Sequence, residues 1–180
     1  MAQRLRREIS APALRNLCAS AVKNSFSLAF NSLPRLEMHI AFRQISSDDF
    51  EFLWRLHNVA LKEYVEKTWG WDAEWQRRNF EQSFNPNDGE IIIADGADAG
   101  FFWIVEKETE TLLASIRLLP AFQKQGIGTK IIKNLLDESE KPVRLQVLKV
   151  NPARNLYQRL GFKIVGETDT HFLMRTQMRS

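Results

Sequence analysis

From His39 onward the apolar positions recur first at every second residue, then at every third or fourth, then at every second again. "HIAFRQI" sets Ile40, Phe42 and, less regularly, Ile45 on one side of an extended chain and predicts a strand. "SSDDF" then offers Ser46 or Ser47 to cap a helix. That helix runs through "FEFLWRLHNVALKEYVEK", where Phe50, Leu53, Leu56, Val59 and Ala60 fall at helical spacing, and Gly70 breaks it. A second, short helix is predicted within "DAEWQRRNFEQSF", with "NPNDG" as the loop that ends it. Three strands follow, "EIIIAD", "FFWIVEK" and "LLASIRLL", joined by the turns "DGADAG" and "ETET". Tight turns between successive strands predict an antiparallel meander. Pro120 closes the third strand, because it cannot continue a central ladder.

Past Pro120 the helical period returns, with Ile127, Ile131, Ile132, Leu135 and Leu136 as one stripe that "ESEKP" ends. "VRLQVLKV" is a strand with Val143, Leu145 and Val147 on one face. "NPARNLYQRLG" is a compact helix in which Asn151 can cap, Pro152 suits the first turn and Gly161 suits a left-handed stop. "FKIVGE" and "THFLMRTQ" are two closing strands. The order of elements places the chain in the α/β (α+β) class.

The length of 180 residues suits one domain with a substantial core, and twelve Phe and five Trp argue against disorder in its bulk. No run approaches the ~18 consecutive apolar residues of a membrane span. The single cysteine, Cys18, excludes an internal disulfide framework and cysteine-based zinc sites, which fits a reducing compartment. Charge divides the chain at its N-terminal end. Residues 1–37 hold Arg4, Arg6, Arg7, Arg15, Lys23 and Arg35 against Glu8 and Glu37, a balance of +4, so the rest carries −1 of the total +3. The basic character belongs to this Arg-, Ser- and Ala-rich segment, and a nucleic-acid interface would want it on the folded body. The division read here is 1–38 as a basic extension and 39–180 as the domain. The extension is read as the product of an alternative start upstream of Met38, as a mitochondrial transit peptide, or as an added helix.

The stretch "FQKQGIGTKII" concentrates two of the chain's eight glycines at the start of a helix. First-turn N–H groups lack intrahelical partners, the helix dipole adds positive potential there, and glycine lets a phosphate approach the backbone. Lys124 adds a charge. A P-loop would need Lys-Ser/Thr directly after its last glycine, yet Gly128 precedes Thr129 and Lys130. A dinucleotide fingerprint needs a third glycine where Ile131 stands.

The spacing Gln123-x-x-Gly126-x-Gly128 resembles the pyrophosphate loop, [Arg/Gln]-x-x-Gly-x-[Gly/Ala], of the GCN5-related N-acetyltransferases, the GNAT family. "SIRLLP" before it is similar to that family's fourth strand, and "NPARNLYQRLGF" after it to the family's Asn…Leu-Tyr-x-x-Leu-Gly-Phe signature. The resemblance covers about His39 to Gln177, and is to small bacterial-type members of unassigned substrate. It implies a GNAT fold: a mixed, mostly antiparallel sheet with a splayed parallel strand pair, flanked by helices. It implies acetyl-CoA as co-substrate and no metal. Backbone groups of Leu118 and Leu119 would pair with the pantetheine arm. Gln123, Lys124, Gln125, Gly126, Ile127, Gly128 and Thr129 would wrap the pyrophosphate. Asn151 would lie near the thiol end, where it can also cap its helix. Tyr157 would protonate the departing thiolate, or serve as a core aromatic beside Leu156 and Leu160. The reaction implied is direct attack of a primary amine on the thioester in a ternary complex. Ser115 and Arg117 stand where relatives often carry a glutamate base, which leaves water, Glu66 or Asp72 to take the proton.

In this family the segment between the first two helices walls the acceptor cleft. Here it reads "EYVEKTWGWDAEW", and Tyr64, Glu66, Trp69, Trp71 and Asp72 are the candidate acceptor contacts, suited to a cationic or aromatic amine. Anchoring of loops to the core by aromatics and solvation of the acids is the competing reading. His39, His57 and His171 lack ligand spacing and read as structural. The partner expected is an amine acceptor, small molecule or protein, with no nucleic acid and no membrane; a homodimer is left open. The expected location is cytoplasmic, or organellar if residues 1–37 are a transit peptide. A CoA-binding sensor or interaction module without catalysis is the alternative function.

Overall fold

The computed structural model describes residues 38–177. The readings of residues 1–37 as a separate extension therefore lie outside the described residues. Met38 itself packs against the larger core cluster, and the His39 N–H donates to Asp95 Oδ1 at 2.8 Å.

The elements are β1 (Ile40–Gln44), α1 (Phe50–Trp69), α2 (Ala73–Ser83), β2 (Glu90–Ala94), β3 (Ala97–Glu106), β4 (Thr111–Leu118), α3 (Ile127–Glu138), β5 (Val143–Leu148), α4 (Ala153–Arg159), β6 (Lys163–Glu167) and β7 (His171–Arg175). They build a seven-stranded sheet in the order β1-β2-β3-β4-β5-β7-β6. All neighbours are antiparallel except β4 and β5. This is the mixed, mostly antiparallel sheet with one parallel pair that the family resemblance implies.

The sheet is covered on both faces, and the "III" run shows how. Ile91 and Ile92 are both fully buried, and alternation sends them to opposite faces. Ile91 joins Leu53 and Leu56 of α1, with Phe80 and Phe84 packed alongside. Ile92 joins Ile127, Ile131, Ile132 and Leu135 of α3 and Val143, Leu145 and Val147 of β5. The predicted stripe on α1 needs one correction: Val59 is half exposed, while Leu53 and Leu56 carry the contact and Ala60 packs beside them. The entry to α1 is held differently from a simple serine cap. Asp49 Oδ2 accepts from the Ser46 N–H at 2.8 Å, and both Asp49 oxygens accept from Arg43 of β1 at 2.8 Å. Arg43 also reaches Asp98 of β3, at 2.6 Å.

The turn predicted over "DGADAG" is shorter than expected. Only Asp95 (φ 48°) and Gly96 (φ 83°) turn the chain, both left-handed as a two-residue hairpin requires. Ala97 to Gly100 already belong to β3. Gly100 is a contact residue: a Cβ there would collide with the carbonyl oxygen of Arg117 on β4. Among the described residues, no helix is long and apolar enough to cross a membrane.

Candidate functional site

β4 and β5 are in register only at Thr111↔Val143 and Leu112↔Arg144. Beyond those pairs they part, and a cleft of about 510 Å³ opens. Its walls are Ile116, Arg117 and Leu118 of β4, the start of α3, the loop from Asn151 into α4, and Ala60, Leu61 and Tyr64 of α1.

The β4 wall offers backbone at alternate residues. The Leu119 N–H donates to Ala99 O at 2.9 Å and its carbonyl accepts from the Phe122 N–H at 2.9 Å. Both backbone groups of Leu119 are thus engaged within the protein, which corrects the expectation that it offers them to a ligand. By the two-residue period, Leu118 and Ile116 turn their backbone away from β3 and toward the cleft. Ile116 went unnamed in the sequence reading, although that period links it to Leu118. One cleft-facing acceptor is taken, since the Leu118 carbonyl accepts from Gln123 Nε2 at 2.8 Å.

The loop before α3 alternates hand. Lys124 (φ 60°) and Gly126 (φ 87°) are left-handed, and Gly126 directly precedes the helix. Successive N–H groups in such a backbone converge on a concavity that suits an anion. From Lys124 to Thr129 no backbone N–H donates to any acceptor among the described residues; the ladder of α3 begins with Lys130 N–H on Gly126 O at 2.9 Å. Gln123, Lys124, Gly126, Ile127, Gly128 and Thr129 line the cleft. Gln125 does not; its side-chain amide donates to the Ala121 carbonyl and braces the turn.

Gly128 is informative because the protein's own packing does not require it. Its φ is not left-handed, and a Cβ there would sit in ordinary contact, 3.9 Å from Leu118 Cδ1 and 4.0 Å from Leu156 Cδ2. Those two side chains stand on opposite walls of the cleft, so a Cβ would occupy the space between them.

At the α4 end, Asn151 Oδ1 caps by accepting from the Ala153 N–H at 2.9 Å. Tyr157 lines the cleft while its ring packs edge-on against Phe162 at 5.8 Å. Burial pushes the Tyr157 phenol up to about 12, so it keeps its proton at neutral pH.

The acceptor-side candidates divide. Tyr64 lines the cleft; Glu66, Trp69, Trp71 and Asp72 do not. Asp72 is the N-cap of α2, with Oδ1 accepting from the Trp75 N–H at 2.9 Å. Trp69 is 59% exposed and meets the ring of His171 at 5.9 Å. Trp71 flanks His57 at 6.1 Å. Glu66 and Asp72 thus stand off the cleft wall. Arg117 brings a cation to that region, with Nη1 3.4 Å from His57 Nδ1, and Lys62 brings another over the Trp71 ring at 5.9 Å. Among the described residues, no cluster of three or more His, Cys, Asp and Glu could hold a metal ion.

Residues 87–164 match the family model of the acetyltransferase (GNAT) domain. Solved structures that share the fold include the following three. The PaiA N-acetyltransferase from Thermoplasma acidophilum, crystallised with coenzyme A, superposes with a TM-score of 0.63 at 18% identity, covering 77% of this chain and 99% of that one. An N-acetyltransferase from Staphylococcus aureus Mu50 gives 0.59 at 15%, covering 76% and 100%. The ribosomal-protein-S18-alanine N-acetyltransferase from Escherichia coli gives 0.57 at 20%, covering 79% and 96%. No curated protein matches the chain in sequence.

Proposed function

We propose, from the match of residues 87–164 to the GNAT acetyltransferase domain, that this chain is a member of that family and transfers the acetyl group of acetyl-CoA to an amine bound in the same cleft. The observation that carries the reading is the run of unpaired N–H groups from Lys124 to Thr129, opening where β4 and β5 part. Gly128 is consistent with it, as one of the two small residues the loop motif admits at a position that lines the cleft.

Acetyl-CoA supplies the acyl group as a thioester: the amine nitrogen bonds to the carbonyl carbon, the C–S bond breaks, and sulfur leaves with the electron pair. The loop N–H groups and Lys124 hold the pyrophosphate. The cleft-facing backbone groups of Ile116 and the Leu118 N–H take the pantetheine arm as they would take a strand. Asn151 keeps its side-chain nitrogen free for the ligand while its oxygen caps α4. Tyr157 holds a proton at its phenol oxygen and gives it to the departing sulfur. The nitrogen sheds one proton as the amide forms, which restores the phenol and balances the step.

One observation favours a CoA-binding module without catalysis: none of Ser115, Arg117, Glu66 and Asp72 puts a carboxylate base on the cleft wall. A thiol-release screen with acetyl-CoA across polyamines, amino acids, aminoglycosides and peptides separates the two. Turnover is expected, and Tyr157→Phe is expected to lower kcat by about 10²-fold or more, the usual scale of a positioned acid. Binding of acetyl-CoA with no turnover of any amine would favour the module. Unchanged kcat in the phenylalanine variant would remove Tyr157 from the mechanism.

A further inference from the structure

Arg117 carries a charge that nothing in its surroundings neutralises. It sits on β4 with its side chain on the α1 side of the sheet, over the ring of Phe101 at 5.8 Å. Its one hydrogen-bond neighbour is His57 Nδ1 at 3.4 Å, and among the described residues no carboxylate pairs with it. Burial lowers its pKa to about 10, which leaves it cationic at neutral pH. His57 cannot serve as counter-charge. Burial and the neighbouring guanidinium both lower its pKa, and its Nε2 lies 3.3 Å from Gln76 Oε1. An imidazole that accepts from Arg117 at Nδ1 and donates to Gln76 at Nε2 is neutral. Trp54, Phe80 and Trp71 surround it, at 5.6, 5.3 and 6.1 Å.

A guanidinium has five N–H donors, and the protein uses one. Arg117 is one of the residues that line the cleft, as are Tyr64 of α1 and Leu118 of β4. Arg117 is partly withdrawn from water without an anionic partner, and a fork of this shape matches a carboxylate. We propose that Arg117, oriented by His57 and Gln76, is the specificity residue for an acceptor whose amine is accompanied by a carboxylate, as in an amino acid. The inference rests on the acetyl-transfer reading above and names the class of acceptor. It also replaces the cationic acceptor, whose carboxylate partners stand off the cleft.

The test reads binding, so it is decided whether or not turnover is seen. N-acetyl-L-amino acids, the products such acceptors would yield, are titrated calorimetrically into the CoA-saturated full chain, each beside its carboxamide. At least one acid is expected to bind, with its carboxamide about 10- to 100-fold weaker, the usual worth of hydrogen bonds to a charged group. Arg117→Gln is expected to close that gap and leave CoA affinity unchanged. Arg117→Lys, which keeps the charge without the fork, is expected to fall between. The proposal is overturned if no acid binds, if acid and carboxamide bind alike, or if Arg117→Gln weakens CoA as much as the acid. Failure of the acetyl-transfer reading is a separate result: acetyl-CoA bound and no thiol released from any amine.

Discussion

Two glycines show what a single residue contributes here. Gly126 has a backbone that other residues adopt only with strain, so the loop's own shape explains it. Gly128 has no such need, and a glycine in a helical turn costs up to about 1 kcal/mol relative to alanine. Gly128→Ala is therefore expected to stabilise the ligand-free protein by about 0.5–1 kcal/mol, read as a higher melting temperature. The same variant is expected to bind CoA with little change, because the loop motif admits alanine at this position and the new methyl meets Leu118 and Leu156 only at ordinary contact distance. A large loss of CoA affinity in this variant would show that the ligand does not meet the loop as the motif implies. Gln123 shows the complementary economy of one side chain: its amide takes the Leu118 carbonyl, which fixes the loop's first corner against β4.

Elements are placed by contacts between residues far apart in the chain, and there the sequence was only partly readable. Strands and helices were legible because their periods are clean: Val143, Leu145 and Val147 on β5, or Ile127, Ile131, Ile132 and Leu135 on α3. The start of β3 was not, because "GADAG" has the composition of a turn. Its small residues serve a close approach between strands, visible only once β4 lies beside them. Gly100→Ala is expected to cost about 1–3 kcal/mol in chemical denaturation, as overpacking does. The cleft loop and α4 were legible as a motif of local spacing, whereas the partnership of Arg117 with His57 joins residues sixty positions apart and has no local signature. A further join across elements is Arg43 with Asp49 and Asp98. Hydrogen bonds from Arg43, then those from Ser46, lower the Asp49 pKa to about 2 against a usual ~3.9. A depressed carboxylate stabilises fully above its unfolded pKa and loses that contribution as pH falls through the folded one. Stability is expected to decline between about pH 4 and pH 2, and Asp49→Asn to be less stable at pH 7 but flatter across that window. A variant as steep as the parent in acid denaturation would show that Asp49 is not the titrating group.

At the scale of the whole molecule, the sheet is two plates. β1 to β4 form one, β5, β7 and β6 the other, and only two register pairs join them. CoA is expected to slow amide hydrogen exchange at Ile116 and Leu118 while leaving Arg117 and Leu119, which face β3, unchanged. Uniform protection along β4 would mean that the ligand does not lie along the strand as proposed. The narrow join has a mechanical side as well. Pulled apart or heated, such a body tears first along its seam, and a guest that spans the seam acts as stitching. Ligand supply would then govern how long the empty protein survives a protease, as much as how fast the loaded one works.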